Sequence, residues 1–318
     1  MLTHEKLLVQ ASRLYYEQNL TQAEIGRRLN TSRSTVSRLL QEARETGVVR
    51  VMINYPWKRD YELERQLLKK FQIREAHVLR GFDRTPDEVL QGLGILAADF
   101  LDEFVREDMV LGVSYGRSLA ALIEQLVPSK RINMTVVQIL GVLGMGNPLI
   151  EGPDLVRQLA NAYSADYRYL YTPMIVESEQ TRDLLLKEPN VRDTLVLGRN
   201  ADAVVLGIGA HDSQDFGSIW TGYLNRKDLA FLRSRGAVGH MCAEHFGADG
   251  EVLDVAYNRR VISIGIESLR EIETVIAIAG SEEKARAIYG ALNGRYIDIL
   301  ITDDQAAKRV LALDETEN

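Results

Sequence analysis

A short segment near the N-terminus carries hydroxyl and guanidinium side chains at a spacing that suits contact with nucleic acid. In the run "TQAEIGRRLNTSRSTVSRLL", residues 21–40, Arg33 and Arg38 have the geometry to reach guanine edges in a major groove. The hydroxyl groups beside them can reach bases or phosphates, and the polar residues before them would more naturally contact the DNA backbone. The candidate DNA-binding residues are Gln22, Arg27, Arg28, Ser32, Arg33, Ser34, Thr35, Ser37 and Arg38.

Two short helices joined by a tight turn must position these side chains. Thr21, with Glu24 three residues later, predicts a capping box at the start of the first helix. Asn30 is typical of a left-handed turn, and Gly26 falls where a side chain would prevent close approach. Ser32 or Thr31 would cap the second helix, and the packing positions are Ile25, Leu29, Val36 and Leu39.

This pattern predicts a helix-turn-helix whose second helix enters the major groove. Only Thr31 is less apolar than is usual at its position, and Val48 to Ile53 would form a wing strand. The alternative is a solvated pair of basic helices that does not bind DNA.

Three glycine-bearing turns follow apolar runs farther along the chain: Leu111 to Ser118, Ile139 to Gly146 and Leu206 to Asp212. In the first turn, Ser114 and Gly116 would present backbone N–H groups at a helix N-terminus, which is a site that favours anions. Arg117 would add positive charge there, and Lys284 follows another strand and turn. None of the turns fits a Walker A or dinucleotide-binding pattern. Ordinary tight turns and a surface lysine are the alternative interpretation.

The elements that carry these turns alternate between short apolar runs and amphipathic stretches. This alternation predicts a mostly parallel sheet with helices on both faces, whose carboxyl edge is where such sheets bind ligands. The predicted strands are 76–79, 109–113, 135–140, 203–208, 261–264, 274–279 and 297–301. The predicted helices are 87–106, 118–126, 153–163, 225–235 and 282–292.

Length and charge favour two domains with different partners. The 318 residues are about twice a common domain, and the net charge is -7. Residues 1–58 hold nine basic and five acidic residues, a net +4, which leaves -11 on the other 260. Such segregation indicates a small basic module joined to a larger acidic one. The predicted domains are a winged helix-turn-helix over 1–54, a linker with a possible dimerisation helix over 55–72, and an α/β domain over 73–318.

Several classes of protein are excluded by composition. No apolar run is long enough for a membrane helix, and the N-terminus has no secretory signal, so a cytoplasmic protein is expected. The single Cys242 excludes an internal disulfide and a cysteine-based zinc cluster. The five histidines show no convincing metal spacing, and no metal or cofactor is expected.

The helix predicted over residues 61–71 places Leu63, Leu67 and Phe71 on one face. This face either packs on its own domain or forms a dimer contact that pairs two DNA-binding modules. Recognition of a palindrome by helix-turn-helix modules requires such pairing.

The segment from Thr21 to Val49 resembles the DNA-binding segment of bacterial SorC-type sugar-responsive transcriptional regulators. The remainder resembles the effector domain of the same family over essentially its full length. The matching stretches are "LGVSYGRSLA", "VVQILGVLG", "ADAVVLGIG", "GAVGHM", "AGSEEKARAI" and "ALNGRYIDILITDDQAA". The resemblance implies a fold related to ribose-phosphate isomerase and glucosamine-phosphate deaminase. It also implies an effector that is a sugar or polyol, usually phosphorylated.

Carried over from the family, the phosphate would lie among the first two glycine turns and Lys284. The sugar hydroxyls would be contacted by His211, His240, Glu244 and Asp249. The predicted effector-binding residues are Ser114, Tyr115, Gly116, Arg117, Gly141, Val142, Leu143, Gly144, Gly209, His211, His240, Glu244, Asp249 and Lys284. Two positions depart from the family pattern. Leu140 replaces a lysine that can engage a sugar aldehyde, and His240 stands where an acid is common.

The resulting hypothesis is a repressor of a carbohydrate-metabolism operon that binds operator DNA and a phosphorylated sugar or polyol, as a homodimer or homotetramer without catalytic residues. One alternative is a sugar-phosphate isomerase or deaminase that carries a DNA-binding module. Carboxylates stand near the right turns for a base, although "ADAVVLGIGAHDSQ" lacks the Asp-Gly-His run of the deaminases. Another alternative is an interaction protein whose helix-turn-helix docks on protein.

Overall fold

The computed structural model describes residues 4–49, 57–81, 84–144, 150–212 and 223–313. The chain divides into two compact units, residues 1–56 and 57–318. In the described ranges, no helix has the length and apolar character needed to cross a membrane.

The first unit is helical. Helix α1 (His4–Ser12) continues as a π-helical turn (Arg13–Glu17), and α2 (Gln22–Arg28) and α3 (Arg33–Glu45) follow. The capping box predicted at Thr21 is present, because its side chain accepts from the Glu24 N–H while the Glu24 carboxylate accepts from the Thr21 N–H. Ser32 caps α3, and Asn30 adopts the predicted left-handed conformation with φ of 49°. The apolar faces of the three α-helices and of the π-helical turn form one core: Leu8, Ala11, Leu14, Ile25, Val36, Leu39, Leu40 and Ala43.

The wing strand predicted over Val48 to Ile53 falls mostly outside the described residues. Val48 and Val49 are described, and they form a bend after α3 rather than a strand. The Val49 N–H donates to the Ala43 carbonyl at 2.8 Å, which turns the chain back along the end of α3. The wing therefore stays a prediction.

The second unit is built on a seven-stranded parallel sheet. Its strands are β1 (Glu75–Leu79), β2 (Val110–Val113), β3 (Thr135–Gln138), β4 (Asp166–Arg168), β5 (Ala203–Gly207), β9 (Thr274–Ile278) and β10 (Ile299–Asp303). Their order in the sheet is β1-β10-β9-β5-β2-β3-β4, and every neighbouring pair is parallel. A second, antiparallel sheet contains β6 (Gly209–Ala210), β7 (Gly239–Met241) and β8 (Glu244–Phe246).

Helices pack on both faces of the parallel sheet. The helices of this unit are α4 (Tyr61–Lys70), α5 (Pro86–Phe104), α6 (Arg117–Gln125), α7 (Gly152–Tyr163), α8 (Glu179–Leu185), α9 (Pro189–Arg199), α10 (Arg226–Ser234), α11 (Ala285–Asn293) and α12 (Asp304–Ala312). Side chains alternate across a strand, so β9 sends Val275 and Ala277 into one core and Ile276 and Ile278 into the other. This is the α/β architecture that the alternating pattern predicts.

The structure corrects one predicted strand of this unit and shows where the apolar face of α4 packs. Residues Val261 to Ile264 are not a strand and make only single bridges, from Val261 to Ile175 and from Ser263 to Leu140. Helix α4 buries Leu63, Leu67 and Phe71 in the core of its own unit. That apolar face is therefore occupied within the chain, and a dimer contact through this helix stays a prediction.

Candidate functional site

The helix-turn-helix presents most of its predicted contact residues to solvent. Arg27, Arg28, Ser32, Arg33, Ser34, Ser37 and Arg38 are exposed, and Gln22 and Thr35 are half-buried. Across residues 4–49, none of the four arginines in this set forms a salt bridge. The Ser32 hydroxyl serves the fold, because it accepts from the Thr35 N–H at 3.1 Å and lies 2.8 Å from the Ser34 hydroxyl. Ser32 therefore orders the start of α3, while the guanidinium groups stay available for phosphates and base edges.

Gly26 is required by the close approach of the turn to α2. A Cβ atom at this position would lie 2.9 Å from the Thr31 carbonyl oxygen and 3.4 Å from the Arg33 nitrogen. Both contacts are with backbone, which cannot move aside without displacing the start of α3. The prediction that a side chain at position 26 would prevent close approach is thus confirmed. The backbone that Gly26 approaches is that of the turn between α2 and α3.

A cleft of about 720 Å³ opens at the carboxyl edge of the parallel sheet. Residues that follow β2, β5 and β9 line it, together with Arg84 before α5 and Asp303 at the end of β10. Half of the predicted effector residues line this cleft, namely Ser114, Tyr115, Gly116, Arg117, Gly209, His240 and Lys284. The open edge of a parallel sheet is where such folds bind ligands.

The first glycine turn ends at an uncapped helix N-terminus. Gly116 is the N-cap of α6, has φ of 116°, and provides no side-chain cap. The Ser114 N–H donates to the Val205 carbonyl at 3.2 Å and the Gly116 N–H to the Ile150 carbonyl at 3.0 Å. The N–H groups that an anion would meet are therefore those of the first turn of α6, which have no intrahelical acceptors.

Two side chains flank this helix start. Arg117 begins α6, and its guanidinium lies 3.4 Å from the exposed Asp87 carboxylate. The Tyr115 hydroxyl is buried and has no hydrogen-bond partner among the residues that the structure describes. Burial raises the pKa of Tyr115 above its usual range, with smaller contributions from Cys242 and Glu151. The hydroxyl is thus neutral and able to donate.

The second glycine turn already contains an anion from the chain itself. The Leu143 and Gly144 N–H groups donate to the two oxygens of Glu151, each at 3.1 Å. The Gly141 N–H donates to Ile262 and the Val142 N–H to Thr172. The backbone N–H groups of residues 141–144, the last residues of this turn that the structure describes, are therefore all engaged, and these residues do not line the described cleft. The family resemblance implies phosphate at this turn, where the Glu151 carboxylate already accepts from two of the N–H groups, so phosphate binding there stays a prediction.

The third glycine turn lies beneath the ring of His240. A Cβ atom at Gly209 would fall 2.0 Å from His240 Nε2, so only glycine admits the imidazole there. His240 pairs across the small sheet with both Gly209 and His245. His211 Nε2 lies 3.1 Å from His245 Nδ1.

These three histidines are buried and neutral. Burial lowers the pKa of His211 to about 4 and of His240 to about 3, and lowers that of His245 well below its usual range. Arg233 contributes to the lowered pKa of His211, His211 and Lys284 contribute to that of His240, and His240 and His211 contribute to that of His245. Within the described ranges, no group of three or more His, Cys, Asp or Glu side chains is arranged to hold a metal ion.

The other predicted sugar contacts lie outside the described cleft. Glu244 is largely buried and accepts from the Ser263 hydroxyl and the Ile266 N–H. Burial raises the pKa of Glu244 to about 7. Asp249 is exposed and accepts from the Glu251 N–H within its own turn. His211 is fully buried and does not line the cleft.

Lys284 stands where β9 leads into α11. It ends the 3₁₀ turn Glu282–Lys284 and directly precedes α11, as the sequence predicts. Ser281 before it has φ of 85°, and its N–H donates to the buried Asp303 carboxylate. Asp303 also accepts from the Gln305 and Ala306 N–H groups. The Lys284 turn is therefore fixed to the end of β10.

Sequence reasoning missed several residues that line the cleft. Among them are Arg84, Glu282, Glu283, Asp303 and Gln305. Asp303 could have been found, because it is the N-cap of a helix that follows directly after an apolar run. Arg84 has no such signal, since it belongs to neither a strand nor a glycine turn.

Comparison with known proteins gives the same two-part division. A family model described as "Putative sugar-binding domain" matches residues 55–312, and one described as "Sigma-70, region 4" matches residues 12–46. The transcriptional regulator LsrR of Enterobacter sp. (strain 638) is 33% identical over 314 residues, 98% of this chain and 94% of that protein. The deoxyribonucleoside regulator of Bacillus subtilis (strain 168) is 30% identical over 309 residues, 96% of this chain and 97% of that protein.

A solved structure extends the similarity to the whole fold. The full-length sorbitol operon regulator SorC from Klebsiella pneumoniae matches with a TM-score of 0.74 and 30% sequence identity. The match covers 96% of this chain and 98% of that one.

Proposed function

The chain belongs to the SorC-type family of sugar-binding transcriptional regulators, and from this premise we propose that its cleft binds a phosphorylated sugar or polyol that controls operator binding. The chain is a DNA-binding transcriptional regulator. We propose that it represses an operon of carbohydrate metabolism, since similar proteins are named for sorbitol and deoxyribonucleosides. It acts as a homo-oligomer and without turnover of the effector.

The observation that carries this proposal is the α6 N-terminus in the cleft. Its N-cap Gly116 supplies no capping side chain, and Arg117 and Lys284 line the same cleft. Helix N-terminal N–H groups with nearby cations are a common phosphate site in α/β proteins. The sugar then extends toward His240 and Gly209, where the neutral imidazole suits hydroxyl groups.

Charge in the cleft supports a phosphate only at defined places. Its described lining contains three cationic side chains, Arg84, Arg117 and Lys284. It also contains four acidic ones, Asp87, Glu282, Glu283 and Asp303. The lining as a whole therefore does not attract anions. Binding depends on directed donors, namely the α6 amides and the cationic groups beside them.

Effector control requires different effector affinities in the DNA-bound and DNA-free states. A 10- to 100-fold change in operator affinity corresponds to roughly 1.4 to 2.7 kcal/mol of coupling free energy. A few charge-assisted hydrogen bonds that differ between the two states are enough, since each is worth about 1.5 to 3 kcal/mol.

A thermal-shift screen of sugar phosphates and polyol phosphates tests the proposal. A binding compound raises the melting temperature in proportion to the logarithm of its concentration over Kd. Arg117→Ala and Lys284→Ala should each weaken binding by roughly tenfold while operator binding without effector persists. Normal effector response in both variants would contradict the phosphate site. Chemical turnover of a bound compound would favour the isomerase or deaminase alternative.

A further inference from the structure

Arg84 is a cleft residue whose guanidinium is held against an aromatic ring. It lines the cleft beside residues 114–118, and its Cζ lies 3.9 Å from the centroid of the Trp57 ring. Stacking uses the flat face of a guanidinium. Its N–H donors lie in the plane of the group, where they match the oxygens of a phosphate. A stacked arginine at the wall of a cleft can therefore bind an anion in a fixed orientation.

The Trp57 indole packs against α5 at Gly92, where there is no side chain to displace it. A Cβ atom at Gly92 would lie 2.4 Å from Trp57 Cζ3 and 2.7 Å from Leu79 Cδ2. The indole fills the space between α5 and the end of β1. Any residue larger than glycine at position 92 would push the indole, and the guanidinium stacked on it, out of place.

The residues after Trp57 are joined to β1. The Arg80 N–H donates to the Lys58 carbonyl and the Asp60 N–H to the Val78 carbonyl, each at 2.8 Å. Arg59 pairs with the buried Glu64 at 2.8 Å and forms a bridge with Leu79. Trp57 thus stands on backbone that is tied to the sheet, at the carboxyl end of β1 and so at the edge where the cleft opens.

We propose that Arg84 is a further anion-binding residue of the cleft and that Trp57 is the residue that positions it. This inference rests on the proposed binding of a phosphorylated effector. It assigns a third cation to the phosphate, in addition to Arg117 and Lys284. Trp57 is also the first residue of the second unit in the sequence.

The test uses the full chain with Trp220→Phe, because Trp57 is then its only tryptophan. Inorganic phosphate and ribose 5-phosphate are titrated by calorimetry and by tryptophan emission. We expect a saturable change in Trp57 emission, because an anion at Arg84 changes the contact between guanidinium and indole. Arg84→Gln should weaken binding of both probes about tenfold, the loss expected for one charge-assisted contact, and remove the emission change.

Conservative variants separate binding from packing. Arg84→Lys keeps the charge but loses the planar donors and the stacked face, so it should weaken binding at least about threefold. Trp57→Phe keeps an aromatic face and should stay within about threefold of the parent chain, whereas Trp57→Leu should weaken binding more. Arg131→Gln is the matched control, an exposed arginine outside the described lining. If Trp57→Leu does not fold, the Arg84 series still decides.

The outcomes are distinguishable. If Arg84→Gln binds both probes as tightly as Arg131→Gln, the inference is overturned while the proposed effector cleft stands. If the parent chain and all variants fail to bind any sugar phosphate or phosphate, the proposed function is overturned and this inference with it. Loss of binding in Arg84→Gln, with an unfolding transition like that of the control, supports a role in binding rather than in packing.

Discussion

The two units offer their ligands different kinds of donor. In the helix-turn-helix, exposed arginines project from helices whose ends are capped by Thr21 and Ser32. In the α/β unit, the cleft offers backbone N–H groups at an uncapped helix start, and its charged side chains are constrained by neighbours. The first arrangement suits a large, salt-sensitive polyanion. The second suits one small anion in a defined orientation. The contrast is therefore between charge presented on a surface and donors fixed in a cleft.

The largest effect is expected from removing the exposed arginines of the helix-turn-helix. Removing both guanidinium groups in Arg33→Ala, Arg38→Ala should lower affinity for an operator fragment by about a hundredfold and reduce its salt dependence. Electrophoretic mobility shift assays over a range of salt concentrations measure this. Arg44→Ala is the control, because Arg44 is exposed at the other end of the same helix. Unchanged operator affinity in the double variant would favour a helix-turn-helix that docks on protein.

Acid stability should sharpen the contrast, because buried histidines are found only in the second unit among the described residues. Burial lowers the pKa values of His211, His240 and His245 in the folded chain. Between about pH 6.5 and 4, the unfolded chain binds protons that the folded chain does not. Stability contributed by these histidines is therefore complete above pH 6.5 and decreases as pH falls.

Glu244 acts in the opposite direction. Its raised pKa of about 7 means that the folded chain holds a proton between about pH 7 and 4.5 that the unfolded chain releases. The three histidines outweigh it, and we expect the free energy of unfolding to fall by about 1.4 kcal/mol per pH unit for each net proton. Urea unfolding followed by tryptophan emission measures this in the second unit. Glu244→Gln should steepen the fall, and a flat profile would contradict buried neutral histidines.

The two units also differ in how far sequence predicts them. The helix-turn-helix depends on contacts within about thirty residues, so Thr21, Gly26, Asn30 and Ser32 each carry a local signal that the structure confirms. The parallel sheet is predicted as well, because apolar runs mark its strands. Sequence does not predict whether the backbone N–H groups of each glycine turn are already hydrogen-bonded, because their acceptors can be distant in the sequence. Whether the Gly144 N–H is vacant depends on Glu151, and no periodicity encodes that hydrogen bond.

The second unit also contains a local helix-start signal that the sequence-based prediction of its helices did not use. Thr85, Pro86 and Glu88 form a capping box with proline at the helix start, the same pattern that was found at Thr21. Val261 to Ile264 is apolar like a strand but makes single bridges, because its neighbours are loop residues rather than a complete strand. Apolar character alone indicates burial and not a ladder of hydrogen bonds.

A variant of Glu151 tests whether the second glycine turn belongs to the fold or to the effector site. Glu151→Gln removes the charge and leaves one oxygen to accept from two N–H groups, so the unfolding free energy should fall by about 1 to 3 kcal/mol. Affinity for ribose 5-phosphate should stay within about twofold. Asp154→Asn removes a charge from the first turn of the same helix and serves as control. A marked gain in phosphate affinity in Glu151→Gln alone would return phosphate to this turn.

The smallest expected effect uses the same chemistry in both units. Thr21→Ala and Thr85→Ala each remove a capping box, at a cost of about 1 kcal/mol. Thr21 begins a helix of seven residues in the small unit, and Thr85 begins one of nineteen residues in the large unit. The same free energy lowers the melting temperature more in a small cooperative unit, because its unfolding entropy is smaller.

The binding phenotypes of these two variants should separate completely. Thr21→Ala should weaken operator binding and leave binding of ribose 5-phosphate unchanged, because it loosens the helix that precedes the recognition helix. Thr85→Ala should weaken binding of ribose 5-phosphate and leave operator binding unchanged, because Thr85 directly follows the cleft residue Arg84 and orders the start of α5. Calorimetry and mobility shift assays on both variants measure this, with Thr181→Ala on the surface helix α8 as control. If Thr85→Ala leaves ribose 5-phosphate affinity unchanged, the start of α5 does not contribute to the cleft, and fixed donors are then confined to α6 and the Lys284 turn.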